Sequence, residues 1–214
     1  MSTTDELVGR VLSHLGKQGL RENTIFIFQS DHGHSVEERT FGGGGSAGPY
    51  RGHKGNLFEG GIKVPSVVSW PAKIPQGKTR DQFVTATDWW PTLAEWTDTK
   101  IPTDHKLDGK SIAGVIANPH SQSPHERYYW QLGNKNGQWV MREGDWKLYA
   151  KARENIRPHG VEEMTKEDKK LFLVNLREDP SEKKNWAADY PIKVEKLSKM
   201  AAAYQADIYM TKKN

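Results

Sequence analysis

The amino-acid sequence predicts an α/β chain in two parts. Residues 1–122 carry helices and an incomplete sheet, and residues 123–214 carry a small antiparallel sheet packed with a helix. Three observations lead there. A helical pattern at the front runs into a β-branched and aromatic stretch. A second such stretch follows a long glycine-rich connection. Beyond about residue 124, four short strand patterns alternate with turn signals before a last amphipathic segment.

In order, Thr3-x-x-Glu6 reads as a capping box, and Leu7, Val8, Val11, Leu12 and Leu15 recur at helical spacing until Gly16 and Gly19. Thr24 to Phe28 reads as a strand buried on both faces, because its apolar residues do not alternate with polar ones. Helix then strand is half of a βαβ unit. Ser35 to Gly55 is a long connection, and connections of that length are usually functional or disordered. Leu57 to Ile62 is a turn, and Val64 to Trp70 a second strand with Pro65 near its start. Thr87 to Trp96 is a short helix capped by Thr87 or Asp88. Tyr128–Leu132, Gln138–Arg142, Trp146–Lys151 and Leu171–Leu176 are the four later strands, with Asn136-Gly137 and Glu143-Gly144-Asp145 as hairpin turns. Arg153 to Lys170 is charged and reads as loop or irregular helix. Pro191 starts a closing helix whose apolar positions are Val194, Leu197, Met200, Ala201, Tyr204 and Ile208.

Composition narrows the function classes. The chain has no cysteine, which excludes a disulfide framework, a thiolate metal site and a cysteine nucleophile. The net charge of +4 comes from interleaved Lys/Arg and Asp/Glu, without the basic stripe of a nucleic-acid reader. No apolar run has the length of a membrane span, and the N-terminus has no signal-peptide pattern. The eight tryptophans supply core material. Trp130, Trp139 and Trp146 could stack on a sugar, but core packing is the expectation. His125 reads as a plain loop histidine.

The chemistry concentrates in two segments. Asp31 and His32, in Gln29-Ser30-Asp31-His32-Gly33-His34, follow the first strand, where ligands gather in open α/β sheets. A carboxylate and an imidazole there can face a metal or an anion, although Asp and Gly after a strand are also ordinary turn residues. Lys54, in Lys54-x-x-x-x-Glu59-Gly60-Gly61, places one ammonium among glycines that permit close backbone approach. Such a lysine can neutralise one oxygen of a tetrahedral anion. Glu59 is expected to orient the turn by accepting backbone N–H groups.

Ser30-Asp31-His32-Gly33, followed by Gly52-x-Lys54-x-x-x-x-Glu59-Gly60-Gly61-x-x-x-Pro65, resembles the C-terminal half of type I, formylglycine-dependent sulfatases of the alkaline-phosphatase-like superfamily. Asp108-Gly109-Lys110-Ser111, Gly144-Asp145-Trp146-Lys147-Leu148 and Leu173-Val174-Asn175-Leu176-x-x-Asp179-Pro180 extend the resemblance over nearly the entire chain. It implies an alkaline-phosphatase-like sheet, present here in part, and hydrolysis of sulfate esters, with a glycan as the expected substrate. Asp31 and His32 would be metal ligands and Lys54 the catalytic, sulfate-contacting cation, with His53 as a further substrate contact. The implied metal is divalent calcium. Calcium prefers oxygen, so His32 either ligates it or touches the substrate.

The motif that yields formylglycine, C/S-x-P-S/A-R, does not occur, so a companion N-terminal chain would supply the nucleophile and the chain alone is expected to be inactive. The resemblance suggests a periplasmic or secreted setting. Two other readings stand beside it: a non-catalytic domain that binds anionic glycans, and a phosphodiesterase or phosphonate hydrolase of the same superfamily. A further expectation is that both early strands lack sheet partners and leave open edges.

Overall fold

A computed structural model describes residues 2–38, 43–104, 106–154 and 161–210. The chain forms two compact units, Met1–Gln29 with Ser66–His125, and Ser30–Pro65 with Glu126–Asn214. Residues 30–65 thus belong with the C-terminal sheet rather than with the strands that flank them in sequence.

In the first unit, helix α1 (Ser2–Lys17) includes Ser2, so Thr3 lies within its first turn rather than before it. It buries none of its residues, and Leu7 and Val11 are each about half exposed. Strands β1 (Phe26–Gln29) and β2 (Ser66–Ser69) form a two-stranded antiparallel sheet in the register Phe26↔Ser69 to Gln29↔Ser66. The expected burial on both faces is not found, since Phe28 and Val67 remain exposed. The apolar run marks a strand but does not report its burial.

A 3-10 turn, Ala86–Asp88, leads into helix α3 (Trp89–Trp96). The cap is neither Thr87 nor Asp88 alone. Thr85 and Asp88 form a reciprocal capping box, in which the Thr85 N–H donates to Asp88 Oδ2 at 2.7 Å. The other Asp88 oxygen, Oδ1, accepts the Lys110 N–H at 2.9 Å and lies 2.7 Å from His125 Nε2. His125 is therefore more than a plain loop histidine. It is buried, and with Asp88 it ties the Asp108–Ser111 turn to the start of α3. A short helix α4 (Ala113–Ala117) follows, which the sequence reading did not separate from its surroundings.

The second unit holds the main core. Helix α2 (Glu59–Ile62) is one turn where a turn was expected. Strands β3 (Arg127–Leu132), β4 (Gln138–Glu143), β5 (Trp146–Ala150) and β6 (Leu171–Asn175) form a four-stranded antiparallel meander in that order. The strand boundaries fall within a residue or so of those read from the sequence. Helix α5 (Lys166–Lys170) begins at a Thr165–Asp168 capping box inside the segment read as irregular. The part of that segment at 155–160 lies outside the described residues. Helix α6 (Pro191–Met210) closes the unit.

Both faces of the meander are covered. Register pairs Met141 with Leu148 and Leu148 with Leu173, and this set packs with Leu197 and Ala201 of α6. The alternate set, Val140, Tyr149, Phe172 and Val174, packs with Leu57 and Phe58. The period of two explains the division, because neighbouring residues on one strand serve opposite faces. Phe58 is fully buried and stacks on Tyr149 at 4.8 Å between centroids. Trp130 packs against this cluster, and Trp139 and Trp146 against the other, as core packing requires. Truncating a buried aromatic of this kind costs about 3–5 kcal/mol. Phe58→Ala is expected to lose that much in denaturant unfolding monitored by tryptophan fluorescence, where a loss below about 1 kcal/mol would contradict the anchoring role.

Candidate functional site

All four sequence-predicted site residues fall in the second unit, on two segments stitched together through backbone groups. The Gly33 N–H donates to Gly61 O at 2.9 Å and the Lys54 N–H to His34 O at 3.0 Å. The Gly60 N–H donates to Arg51 O at 2.7 Å. A side chain on Gly33 would overlap the Gly60 carbonyl, and one on Gly60 would overlap the carbonyls of Arg51 and Gly52. Close approach of three backbone stretches is what these glycines are for.

Asp31 is exposed, and its Oδ2 lies 3.3 Å from His32 Nε2. His32 Nδ1 lies 2.7 Å from the Gly33 carbonyl, which can only accept. The proton therefore sits on Nδ1, and in the neutral ring the Nε2 lone pair faces the carboxylate. A cation placed between them would be shared by both donors. The donor pair thus suits one edge of a cation site. Among the described residues no group of three or more His, Asp or Glu gathers to complete it, whereas calcium takes 6–8 oxygens. These residues alone do not make a calcium cage.

Lys54 is mostly buried, and its ammonium lies 3.4 Å from Glu37 Oε1. A carboxylate of this chain thus stands on one side of the ammonium. His53 is buried, 7% exposed. Burial holds it below the ordinary histidine range, and the neighbouring His34 ring, 6.3 Å away between centroids, adds to this. Both His53 ring nitrogens, and Nδ1 of His34, are buried with no hydrogen-bond partner in the protein. Buried polar atoms in that state are the ones that ordered water or a bound group satisfies.

Beneath the site is a buried charge cluster that the sequence reading missed. Lys147 Nζ, on β5, donates to Glu59 Oε1 at 2.7 Å and to Leu57 O at 3.0 Å. It also lies 3.7 Å from Glu182 Oε1. Among the described residues Glu59 therefore accepts no backbone N–H group on its carboxylate, against expectation. It accepts the ammonium, and its own N–H donates to Glu182 Oε2 at 2.8 Å. Tyr149 donates its hydroxyl to Glu182 Oε1. Burial raises Glu182 to about 7, with the Glu59 charge adding to the rise against the pull of Lys147. Burial works against the Glu59 carboxylate too, but the Lys147 ammonium prevails and holds it low. Nearby, Arg51 pairs with Glu154 at 3.1 Å and lies over the Phe58 and Phe172 rings. Glu59 and Lys147 each stood in a recognisable motif, but nothing in either motif says that they meet.

Comparison with known proteins decides the family. The profile described as "Sulfatase" matches residues 1–99, and "N-sulphoglucosamine sulphohydrolase, C-terminal" matches residues 52–205. The second match alone spans well over half of the chain.

The chain belongs to the sulfatase family.

Rat steryl-sulfatase (Rattus norvegicus) is 41% identical over 125 residues, which is 57% of this chain and 22% of that protein. A structure described under the metabolism of multiple glycosaminoglycans by Bacteroides thetaiotaomicron is 27% identical, with a TM-score of 0.74 over 95% of this chain and 43% of its own. A protein solved with its substrate D-glucosamine-2-N,6-O-disulfate shares the fold at 21% identity and a TM-score of 0.65, covering 94% of this chain and 38% of its own. So does the phosphonate monoester hydrolase of Agrobacterium radiobacter, at 22% and 0.62, covering 95% and 39%. The sulfatase chain described here spans about a fifth to two fifths of the length of these relatives, and corresponds to their C-terminal portion. Its fold is alkaline-phosphatase-like α/β, as the sequence implied. No described helix is long and apolar enough to cross a membrane.

Two measurements follow from this geometry. Gly33→Ala forces the Gly60 carbonyl away, at a cost of about 1–3 kcal/mol, which a lowered thermal midpoint would register. An unchanged midpoint would mean that the two segments are not tightly joined. The second concerns pH. Unfolded, Glu182 loses its proton near 4.5, whereas folded it keeps it until about 7. The folded state therefore binds more protons between those values, and stability falls as pH rises through that window. The thermal midpoint of the unaltered chain is expected to decline between about pH 5 and about pH 7.5 relative to that of Glu182→Gln, and parallel curves would refute the assignment.

Proposed function

We propose that this chain carries the anion-binding half of a sulfate-ester hydrolase site, and that its substrate is a sulfated small molecule or glycan. The observation that carries the reading is the backbone stitching of residues 30–34 to residues 51–61. It puts the Asp31–His32 couple and Lys54 on adjoining segments of one unit.

In this reading Lys54 neutralises one oxygen of the sulfate group as a point charge, displacing Glu37. Asp31 and His32 form one edge of a divalent-cation site, expected to be calcium, whose remaining ligands lie outside this chain. A cation bound there would withdraw charge from a sulfate oxygen. His53 supplies an unpartnered ring nitrogen to the bound substrate, directly or through water. His32 takes either of two places, ligand or substrate contact.

The chain has no cysteine and no formylglycine motif, so the nucleophile comes from elsewhere, from a companion N-terminal polypeptide. The exposed apolar side chains of Leu7, Val11, Phe28 and Val67 offer such a partner surface to cover. The family resemblance points to a periplasmic or secreted setting.

The experiment is direct. Purified 1–214 is titrated with inorganic sulfate and calcium by calorimetry, and assayed on an aryl sulfate. Sulfate binding is expected, roughly tenfold weaker in Lys54→Met and weaker at high salt, with no turnover. Robust turnover by the isolated chain would overturn the half-site reading. Sulfate binding unaffected by Lys54→Met would overturn the role of Lys54. Binding of long anionic glycans without any of inorganic sulfate would favour a glycan-binding domain, and phosphonate or phosphodiester preference would favour the related hydrolases.

A further inference from the structure

Three sequence patterns far apart in the chain converge on one buried point. Glu59 stands in Glu-Gly-Gly, Lys147 in Gly-Asp-Trp-Lys-Leu, and Glu182 shortly after Asp179-Pro180. Lys147 and Glu182 have no exposed surface, and Glu59 very little. Glu182 also takes a left-handed backbone conformation, with φ of 54°. A non-glycine residue adopts that only where its surroundings over-determine it. One cation thus serves two carboxylates, in a place where burying any charge is expensive.

Net stability is a poor reason for such a cluster, since well-packed apolar residues of similar volume would serve as well or better. What hydrogen bonds to an ammonium and a carboxylate supply is direction. Here three of the bonds are aimed at the same turn. Lys147 holds the Leu57 carbonyl and the Glu59 side chain, and Glu182 holds the Glu59 N–H. Gly60, the next residue, donates to Arg51 O, and Gly61 accepts from the Gly33 N–H. One face of the turn is thus clamped to β5, and the other carries the segments of Lys54 and of Asp31–His32.

We propose that Lys147 and Glu182 are positioning residues for the anion site. They set where the Glu59–Ile62 turn lies, and through it the separation between Lys54 and the Asp31–His32 couple. The C-terminal sheet then takes part in recognition without touching the anion. The inference rests on the reading of those three residues as an anion site.

The test uses the 1–214 chain and two variants, Lys147→Met and Glu182→Gln. The glutamine keeps the size of the glutamate but puts an NH2 where one accepting oxygen stood and removes the charge facing Lys147, so it disturbs the cluster and carries the test even if the methionine variant does not fold. Amide hydrogen exchange is read by NMR alongside calorimetric binding of inorganic sulfate. Exchange at the Gly33 and Lys54 amides is expected to speed up by roughly tenfold or more, while Leu197 and Ala201 in α6 keep their original rates. Sulfate affinity is expected to fall by a similar factor. Gly33 and Lys54 rates unchanged in a folded variant would overturn the proposal. So would a uniform rise along the chain, which marks a purely stabilising role. If the unaltered chain binds no sulfate, the anion-site reading fails on its own, and the exchange rates still decide the positioning role.

Discussion

The burial of the Lys147 ammonium under the Glu59–Ile62 turn is the constraint on which the rest of the second unit depends. An ammonium with no exposed surface has to find oxygens, and it finds them on one backbone carbonyl and two carboxylates. That demand fastens residues 57–59 to the same sheet face that Phe58 fills with its ring. Apolar packing and charge pairing thus act on adjacent residues of one short segment. The packing supplies most of the driving force, and the charges select one orientation.

From that anchored turn the site extends outward by backbone contacts rather than by side chains. The glycines at 33 and 60 permit this, because only residues without a Cβ let carbonyls and amides of neighbouring stretches meet at hydrogen-bond distance. Residues 33–34 and 51–54, on either side of the long connection, are held to each other and to residues 60–61 by these backbone bonds.

The division of labour differs in the first unit. There Asp88 has the organising role, receiving N–H groups from Thr85 and Lys110 and the His125 ring. Its two strands and first helix nevertheless leave large apolar side chains exposed.

The sequence by itself determined the local elements and the candidate chemistry. Period-two and helical patterns placed the meander and α6 closely, because each reports burial over a few neighbouring residues. Asp31, His32 and Lys54 were legible because their motifs are contiguous. Tertiary structure decided what contiguity cannot express. Burial of β1 depended on neighbours that periodicity cannot supply. His125 looked incidental and is bonded to Asp88, and the burial of His53 beside His34 is not written in its motif. The meeting of Glu59, Lys147 and Glu182 joins residues up to 123 positions apart. Such contacts are set by how the chain closes on itself, and long-range electrostatics leave no periodic trace in the order of residues.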